Sequence, residues 1–571
     1  MARRAVGSWS TSRRVAVALG AGLAAACAAG APAPRGPAPA TSGVAAAPDP
    51  PSRVPPPPAR PRLVVGVVLD QVGADMLARH AELLPEDGIL RRARERGAAH
   101  ERVRFEYATT LTAPGHAAIY TGHPPSRTGI VANEIYSRAR SQVLPQVDDG
   151  EHAVAGTRSK FASPKALRVE GVADRLRAAR PGARVATLSI KDRGAILAGG
   201  ARPDLALWFE PEARGFTTST YYGAPPAWLA EWQSGHPLAA LLVPWTPLDP
   251  ARYAERLGPD DRPGEGAWLG LGRAFPHDPS RSTAPLGALA VMPASSEHLL
   301  ALALEVALRL ELGADDLPDL LAVSVSGTDY AGHVFGGESW EYVDHLVRVD
   351  RALARLYDAL AARAPTAIVV TSDHGAAPLP ERAEPPGPAR VATPDLERLL
   401  EGSLDRALGK GDWIGAVVQP FVYLGASARD ERSRARAVEA SLAALRAQPW
   451  LEAAWEVREL RARAATTAGL ERQVALSLPE STEGDLYVVL KPGTLFDPRM
   501  PGGSGTHHGA PWPYDTDVPA FALGPGVERA SSTEPLQQAR VAATLAALLG
   551  VPSPVDAAPL PGVARRDDAA R

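Results

Sequence analysis

Short runs of β-branched and aliphatic residues recur along the chain and predict buried strands. Their continuous apolar character is typical of a parallel sheet that is covered on both faces. The runs are Leu63–Leu69, Val185–Ile190, Leu320–Val325, Ala367–Val370, Leu486–Leu490 and Ala520–Leu523. Helical patterns lie between them, and in the clearest one leucine and valine recur at helical spacing from Leu346 to Leu360. The alternation predicts an α/β fold with a doubly wound, mostly parallel central sheet flanked by helices.

Two stretches interrupt this alternation and are rich in Pro, Gly, Trp and charged residues. We therefore interpret residues 201–300 and 376–480 as inserted cap regions. They would belong to a single large domain over residues 61–560. Residues 561–571 would follow this domain as a tail.

The first thirty residues have the pattern of a secretory signal peptide. Arginines precede an apolar run, Val15–Ala29, that is too short to span a bilayer comfortably. Cys27 stands near the end of this run in a sequence that resembles a bacterial lipoprotein box. An ordinary signal peptide over residues 1–30 and a lipidated Cys27 are both open, and either predicts export to the periplasm or the cell envelope. Residues 31–60, rich in Ala and Pro, predict a semi-rigid tether.

Composition narrows the classes of function. The chain of 571 residues has 45% hydrophobic and 22% charged residues, as expected for a globular protein, and a net charge of -3. This charge gives no general basic field, so we expect no nucleic acid as a specific partner. Cys27 is the single cysteine, which excludes an intrachain disulfide. We expect a monomer whose membrane attachment, where there is any, occurs only through Cys27.

Carboxylate and imidazole side chains follow several predicted strands, where open α/β sheets place their functional groups. Asp329-x-x-x-His333 would present both side chains on one face of a helical turn. Asp373 and His374 are adjacent, so they can converge only in a loop. Each residue alone is explained by a helix cap or a structural histidine. Together they predict a metal centre of a type that suits zinc. The candidate ligands are Asp70, Asp329, His333, Asp373, His374 and His508.

The stretch Thr109–Thr121 predicts a nucleophile at the start of a helix. Thr112 lies two residues before a proline, which is accepted in a first helical turn, so we expect Thr112 to be the N-cap. A helix N-terminus binds phosphate through its free N–H groups and its dipole. A hydroxyl there is a weak nucleophile until a metal lowers its pKa. On chemistry alone, Thr109 and Thr110 are competing candidates.

An ordered set of motifs connects these candidates. The motifs are Asp70, Thr112-Ala-Pro-Gly-His116, Asn133, Asp329-x-x-x-His333, Asp373-His374-Gly375 and His508-Gly509. The set resembles the alkaline phosphatase superfamily, in the branch shared by nucleotide pyrophosphatase/phosphodiesterases and threonine-dependent alkaline phosphatases. The resemblance extends over residues 62–524 and implies that Thr112 is a nucleophile that forms a covalent phosphothreonine. It also implies that Asn133 donates a hydrogen bond to a phosphoryl oxygen.

The same resemblance implies two zinc ions, which would stabilise the attacking and the leaving oxygen of an in-line displacement. One ion would be held by Asp329, His333 and His508. The other would be held by Asp70, Asp373, His374 and the Thr112 oxygen. His507 is a rival to His508, and the His-Gly match favours His508.

Lys191 and Arg193 carry the expectation about the substrate. They stand in Ser189-Ile-Lys-Asp-Arg193, and this segment and residues 215–222 resemble the PafA-type alkaline phosphatases. Being two residues apart, the two cations would share a face of an extended segment. A phosphate monoester dianion carries more charge than a diester, and two cations can neutralise that excess. The resemblance therefore implies zinc-dependent hydrolysis of small phosphate monoesters.

Other functions are weighed against this one. The main alternative is a phosphodiesterase, nucleotide pyrophosphatase or phosphonate hydrolase on the same two-metal scaffold. A non-catalytic envelope binding protein is expected to have lost a metal ligand or Thr112, and none is missing. The threonine and the export signal disfavour a cofactor-independent phosphoglycerate mutase. A sulfatase is disfavoured because the chain has no Cys/Ser-x-Pro-x-Arg box.

Overall fold

The computed structural model describes residues 60–384, 387–480, 484–498 and 504–564. These residues belong to one compact unit, Pro57–Arg571. The predicted signal peptide with Cys27, the tether up to residue 59 and residues 565–571 of the tail lie outside the described residues. In the described part of the chain, no single helix is long and apolar enough to cross a membrane. One pair of helical segments, Pro285–Val291 and Pro293–Arg309, meets the length and composition criteria together but is bent by 81°.

Strands and helices alternate through the described ranges. The strands are β1 (Leu63–Leu69), β2 (Ala98–Arg104), β3 (Glu134–Ser137), β4 (Gln142–Pro145), β5 (Val185–Ser189), β6 (Leu205–Glu210), β7 (Gly215–Thr217), β8 (Asp319–Val325), β9 (Thr366–Thr371), β10 (Arg390–Ala392), β11 (Ile414–Val418), β12 (Phe421–Leu424), β13 (Leu451–Glu456), β14 (Leu486–Leu490), β15 (Leu495–Asp497), β16 (Asp517–Leu523), β17 (Ala530–Ser532) and β18 (Leu536–Gln537). The α-helices are α1 (Ala74–Arg79), α2 (Ile89–Arg96), α3 (Thr112–Thr121), α4 (Pro125–Thr128), α5 (Val172–Ala179), α6 (Asp192–Gly199), α7 (Ala227–Gly235), α8 (Pro250–Leu257), α9 (Pro285–Ala288), α10 (Pro293–Arg309), α11 (Gly327–Phe335), α12 (Trp340–Ala361), α13 (Thr393–Leu408), α14 (Glu431–Arg446), α15 (Val457–Ala462), α16 (Gly469–Ala475), α17 (Pro513–Thr516) and α18 (Ala539–Leu548).

Within the described residues, a ten-stranded sheet forms the centre of the fold, in the order β17-β2-β16-β9-β1-β8-β5-β6-β7, with β18 also paired to β2. The strands β9, β1, β8, β5 and β6 run parallel to one another. β16 is antiparallel to β9 and β2, and β7 is antiparallel to β6. The sheet is mostly parallel, which confirms the predicted fold class. Because the parallel strands share a direction, their carboxyl ends meet at one edge.

Helices cover both faces of this sheet, as the continuous apolar runs require. Successive side chains of a strand point to opposite faces. In β1, Val67 belongs to the same buried cluster as Leu353 of α12. The next residue, Val68, belongs to the cluster on the other face, which contains Ile119 of α3. The helical spacing predicted from Leu346 to Leu360 lies within α12. Burial of this apolar stripe against the sheet stabilises the helix.

Two of the predicted strands are not parallel strands of the central sheet. Leu486–Leu490 forms β14, which belongs to a separate four-stranded antiparallel sheet in the order β11-β12-β14-β13. Ala520–Leu523 lies in β16, which is in the central sheet but runs antiparallel to its neighbours. In β14, Val488 and Val489 pack into different clusters on the two faces. A continuous apolar run therefore reports burial of both faces and not strand direction.

The second sheet supports the segment that leads into α3. Leu400 of α13 and Leu445 of α14 cover one face of this sheet. On the other face, Tyr487 of β14 belongs to the same buried cluster as Leu111, the residue before α3. The start of α3 is thereby held between the central sheet and the second sheet.

Candidate active site

The helix α3 begins at Thr112, and its N-cap is Leu111. The expectation that Thr112 is the N-cap is therefore wrong by one residue. Leu111 has an extended backbone, and its carbonyl accepts the first helical hydrogen bond, from Gly115 N–H at 2.9 Å. The Thr112 side chain is fully buried. Its Oγ1 lies 3.3 Å from Lys191 Nζ and 3.5 Å from His374 Nε2.

The two competing threonines have other partners. Thr109 Oγ1 shares a hydrogen bond of 2.8 Å with the Tyr487 hydroxyl. Thr110 Oγ1 donates to the backbone carbonyl of Ala510 at 2.9 Å. Of the three hydroxyls, that of Thr112 is the one placed beside the predicted metal ligands.

Three buried carboxylates meet beside Thr112. Asp70 follows β1, Asp329 lies in α11 just after β8, and Asp373 lies in the loop after β9. Each residue is at most 1% exposed. Burial raises the pKa of Asp70 well above its ordinary value, and the charges of Asp329 and Asp373 raise it further. This concentration of negative charge away from water favours a bound cation.

His333, His374 and His508 turn the same ring atom toward these carboxylates. Their Nδ1 atoms lie 2.9, 3.0 and 2.9 Å from backbone carbonyls, respectively. Because a carbonyl only accepts, each Nδ1 carries the hydrogen and each Nε2 keeps its lone pair. The Nε2 atoms of His333 and His508 lie 3.1 and 3.5 Å from Asp329 Oδ1. His374 Nε2 lies 3.5 Å from Asp70 Oδ1, and burial lowers the pKa of His374 to about 3, so the ring is neutral.

The donor set fits a metal centre. In one group, the ligand atoms of Asp70, Asp373 and His374 lie within 4.8 Å of one another, and in another the same holds for Asp329, His374 and His508, so His374 belongs to both. His333 is in neither of these groups, although its Nε2 lies 3.1 Å from Asp329 Oδ1. Among the described residues, Asp70 Oδ1 and Asp373 Oδ2 are buried without a hydrogen-bond partner. Buried carboxylate oxygens of this kind are costly unless a cation binds them, and neutral imidazoles with carboxylates are the usual ligands of zinc.

His507, the rival of His508, has a different environment. Its ring packs against that of His333 with centroids 4.7 Å apart. Its Nε2 is buried and has no hydrogen-bond partner within the part of the chain that the structure describes. The groups of converging ligand atoms contain His508 and not His507. The geometry therefore favours His508 as the ligand.

Lys191 brings a cation into the same cluster. It is the N-cap of α6, two residues after the end of β5. Its Nζ lies 2.7 Å from Asp70 Oδ2, 2.5 Å from Asp329 Oδ2 and 3.3 Å from Thr112 Oγ1. Burial lowers the pKa of Lys191, but the charges of Asp329 and Asp70 outweigh burial and raise it above its ordinary value. The ammonium is therefore a fixed positive charge next to Thr112.

Arg193 differs from the prediction in its backbone. The segment is not extended, because α6 begins at Asp192, whose Oδ1 accepts the Arg193 N–H at 2.7 Å. Lys191 and Arg193 therefore do not share a strand face, since helical residues turn by about 100° each. The Arg193 side chain is 24% exposed, and its Nη1 lies 3.7 Å from Asp192 Oδ1. Its Nε is buried without a hydrogen-bond partner among the described residues.

Asn133 follows α4 in the chain but lies next to the start of α3 in space, and it is half-buried. Its Oδ1 accepts the Ala113 N–H at 2.8 Å, which leaves the side-chain amide hydrogens for another acceptor. This contact also removes a helix N–H group that the sequence suggested for phosphate, and Pro114 has none. The start of α3 thus offers fewer free N–H groups than we expected.

Gln71 is a site residue that sequence reasoning missed. It is fully buried, and its Nε2 donates to Asp329 Oδ1 at 2.9 Å, while its N–H donates to Asp373 Oδ1 at 3.3 Å. Its φ of 65° is uncommon for a residue other than glycine. The Tyr342 hydroxyl holds this conformation by donating to the Gln71 carbonyl at 2.8 Å. Gln71 therefore orients two carboxylates, and its position after Asp70 is its one signal in the sequence.

Comparisons with known proteins agree with this arrangement. Residues 64–497 match the family described as type I phosphodiesterase / nucleotide pyrophosphatase. Alkaline phosphatase PhoV of Synechococcus elongatus is 30% identical over 521 residues, which cover 88% of this chain and 92% of that protein. Alkaline phosphatase PafA of Elizabethkingia meningoseptica is 28% identical over 516 residues, which cover 87% of this chain and 92% of that protein.

A crystal structure of wild type alkaline phosphatase PafA superposes on this chain with a TM-score of 0.79 at 26% identity. The superposition covers 88% of this chain and 99% of that one. The match therefore extends over most of both chains. The chain belongs to the type I phosphodiesterase / nucleotide pyrophosphatase family of the alkaline phosphatase superfamily, in its PafA-type branch.

Proposed function

We propose that this protein hydrolyses phosphate monoesters by transferring the phosphoryl group to Thr112. The Thr112 hydroxyl gives its proton to solvent and its oxygen attacks phosphorus, the bond between phosphorus and the ester oxygen breaks, and the alcohol leaves after taking a proton from solvent. Water then attacks the phosphothreonine and releases phosphate and the Thr112 hydroxyl. The similarity to the alkaline phosphatases PhoV and PafA over most of each chain supports this function.

The position of Lys191 is the observation that carries the proposal. Its ammonium lies 3.3 Å from Thr112 Oγ1, so it can contact a non-bridging oxygen of the phosphoryl group that Thr112 attacks. A monoester dianion has one more such charge than a diester, and Lys191 is buried where this charge is best stabilised. Asn133 and Arg193, each with free donor groups, would bind further phosphoryl oxygens.

We propose that the metals are two zinc ions. Asp329, His333 and His508 would hold one of them. Asp70, Asp373, His374 and the Thr112 oxygen would hold the other. When bound, these ions would act as Lewis acids that lower the pKa of the Thr112 hydroxyl and stabilise charge on the oxygens of the reacting phosphoryl group. Gln71 keeps two of the carboxylates in position for this purpose.

A phosphodiesterase or nucleotide pyrophosphatase is the second candidate, because the matched family carries that description. The carboxylates and imidazoles alone serve both reactions. The two candidates differ in what they need around Thr112: a diester carries one negative charge and a second ester group, which calls for space. Lys191 instead fills this region with a positive charge.

An acid-quench experiment tests the nucleophile. Zinc-loaded protein is mixed with an aryl phosphate, quenched in acid and digested, and the phosphorylated peptide is sequenced by mass spectrometry. We expect the label on Thr112. Thr112→Val keeps the shape of the side chain and should lose the label and roughly 10⁴-fold or more of kcat.

Thr109→Val is the matched control, because it removes a neighbouring hydroxyl that lies against Tyr487. It should keep both the label and turnover. A label on another residue, or turnover of Thr112→Val at the wild-type rate, contradicts the assignment of Thr112.

We further propose that the protein acts as an exported monomer in the periplasm or cell envelope. The signal-like pattern of residues 1–30 supports export, and Cys27 offers a site for a lipid anchor. The catalytic domain would span residues 61–560. The predicted cap at residues 201–300 is wrong in its first part, because β6 and β7 belong to the central sheet; the rest of this segment and residues 376–480 would form the caps. Small phosphate esters, and not nucleic acid, would be its substrates.

A further inference from the structure

We call Thr112, Lys191 and the proposed metal ligands the phosphoryl site. A cavity lies beside this site. Its volume is about 300 Å³, and its lining is mostly apolar and aromatic. Most of its lining residues come from the segment between residues 209 and 298, including Phe209, Phe216, Trp268 and Leu289. A cavity of this size and composition is typical of a small-molecule pocket. None of the proposed metal ligands lines this cavity, and neither Thr112 nor Lys191 lines it, so the proposed reaction does not yet assign it a role.

Ile190 and Tyr330 connect this cavity to the phosphoryl site, because both line it. Ile190 directly precedes Lys191, and Tyr330 directly follows Asp329. The Tyr330 ring centroid lies 5.3 Å from Lys191 Nζ. The ring that contacts the ammonium is thus also a wall of the cavity, so a molecule bound at Lys191 can extend past Tyr330 into it.

The cavity adjoins the phosphoryl site at Tyr330. Lys191 Nζ, which contacts Tyr330, lies 3.3 Å from Thr112 Oγ1, so a phosphoryl group attacked by Thr112 lies within reach of this ring. In an in-line displacement, the leaving oxygen stands opposite the attacking oxygen. The cavity is thus a neighbouring space that the alcohol part of a substrate can occupy.

The cavity has little charge. Among the described residues that line it, Arg214 alone carries a full charge, and Arg214 is exposed. His298 is 8% exposed and packs on Trp232 with ring centroids 4.8 Å apart. Burial, with a smaller effect of nearby His236, lowers the pKa of His298 to about 4, so its ring is neutral near pH 7. An apolar group is favoured here over a charged or strongly hydrated one.

We propose that this cavity, which we name the aryl pocket, binds the alcohol part of the substrate. The preferred substrates are then phosphate monoesters of aromatic or similarly bulky apolar alcohols. This inference rests on the proposed function, since it places the phosphoryl group at Thr112 and Lys191. The ester of a small polar alcohol such as glycerol would reach the same phosphoryl site but would leave the apolar lining unfilled.

Filling the aryl pocket tests this proposal. Ala290 is half-buried in the lining, and Ala290→Phe adds a ring to the cavity. Exposed Ala254 in α8 gives the matched control Ala254→Phe, which adds the same ring outside the cavity. We expect the ratio of kcat/KM for 1-naphthyl phosphate to that for glycerol 2-phosphate to fall roughly tenfold or more in Ala290→Phe. The ratio should stay at the wild-type value in Ala254→Phe, and an unchanged ratio in Ala290→Phe overturns the proposal.

A second variant guards against a folding defect. Thermal unfolding shows whether Ala290→Phe is folded. Leu241→Ala, which removes apolar surface from the lining, should lower the same ratio without adding bulk. Where Ala290→Phe does not fold, a wild-type ratio in Leu241→Ala overturns the aryl pocket.

A binding experiment separates this proposal from the proposed function. The probe is 1-naphthylphosphonate, whose phosphorus–carbon bond is not broken by the proposed reaction. Calorimetry on zinc-loaded protein should show weaker binding of this probe to Ala290→Phe, while binding of inorganic phosphate is unchanged. Such a result without monoester turnover would keep the aryl pocket and refute the proposed function. Monoester turnover with equal probe binding in wild type and variant would refute the aryl pocket alone.

Discussion

The phosphoryl site and the aryl pocket lie side by side but are built from different material. The phosphoryl site gathers carboxylates, imidazoles and an ammonium at the carboxyl ends of neighbouring parallel strands. The aryl pocket gathers aromatic and aliphatic side chains, mostly from strands, short helices and loops between residues 209 and 298. Charge is concentrated in the first region and nearly absent from the second. Tyr330 belongs to both, since it contacts Lys191 and lines the aryl pocket.

We infer that the phosphoryl site governs the rate of reaction and that the aryl pocket governs the preference among substrates. Strand ends hold charges rigidly, as stabilisation of a charged transition state requires. The loops and short helices that follow the edge strands β6 and β7 can vary in shape without moving those charges. Changes in the phosphoryl site should therefore slow every monoester alike, whereas changes in the aryl pocket should alter the preference among alcohols.

Removal of the metal should have the largest effect. Dialysis against a chelator should lower kcat for every monoester by about 10⁴-fold, because the proposed ions would no longer lower the pKa of the Thr112 hydroxyl or stabilise charge on the phosphoryl oxygens. Addition of zinc should restore the activity, with close to two ions per chain by elemental analysis. Full activity of metal-free protein would contradict the role of Asp70, Asp329 and Asp373.

Loss of Lys191 should have the next largest effect. Lys191→Ala should lower kcat/KM for an aryl phosphate by roughly 10²–10³-fold, because a buried charge next to Thr112 is lost. The rate on the matching bis-aryl diester should fall by less than about tenfold, since a diester carries less charge to stabilise. The preference for naphthyl over glycerol phosphate should not change. Equal losses on monoester and diester would refute the charge matching.

Arg193 should matter less than Lys191. Its side chain is partly exposed, and Asp192 lies beside it, so water and a neighbouring charge weaken its effect. Arg193→Ala should reduce kcat/KM for the aryl phosphate about tenfold, again more than for the diester. A loss larger than that of Lys191→Ala would show that our ranking of the two cations is wrong.

Replacement of His298 should have the smallest effect, and the quantity that changes is the free energy of unfolding. Burial lowers its pKa from 6.5 to about 4, so the unfolded chain takes up a proton first as the pH falls. His298 therefore does not lower the free energy of unfolding above pH 6.5, but lowers it progressively as the pH falls from 6.5 toward 4. In urea titrations at pH 7 and pH 4.5, His298→Phe should lose less free energy of unfolding than wild type does. Equal losses would contradict a neutral imidazole in the aryl pocket.

Much of the phosphoryl site could be predicted because its residues follow local rules. The spacing of Asp329 and His333 fits one helical turn, and the structure places both in α11. Asp70 and Asp373 follow β1 and β9, which are parallel neighbours, so the sheet itself brings them together. Asp373 and His374 lie in a loop after β9, where adjacent side chains can converge.

The rest could not be predicted because it depends on the course of the chain in space. The residues that line the aryl pocket are scattered from Ile190 to Tyr330 and share no period. Leu486–Leu490 is buried on both faces in the second sheet. A strand of the central sheet would show the same apolar pattern, so the pattern does not tell which sheet the strand joins. The positive φ of Gln71 is accompanied by a contact with Tyr342, 271 residues further along the chain. Such contacts leave no pattern in a single sequence.

One measurement tests most directly whether this charged strand-end site acts on monoesters. It is the ratio of kcat/KM for 4-nitrophenyl phosphate to that for bis(4-nitrophenyl) phosphate, measured side by side on zinc-loaded wild-type protein. With Lys191 next to Thr112, we predict a preference for the monoester of at least about 10²-fold. A preference for the diester would contradict the account and would favour the phosphodiesterase alternative.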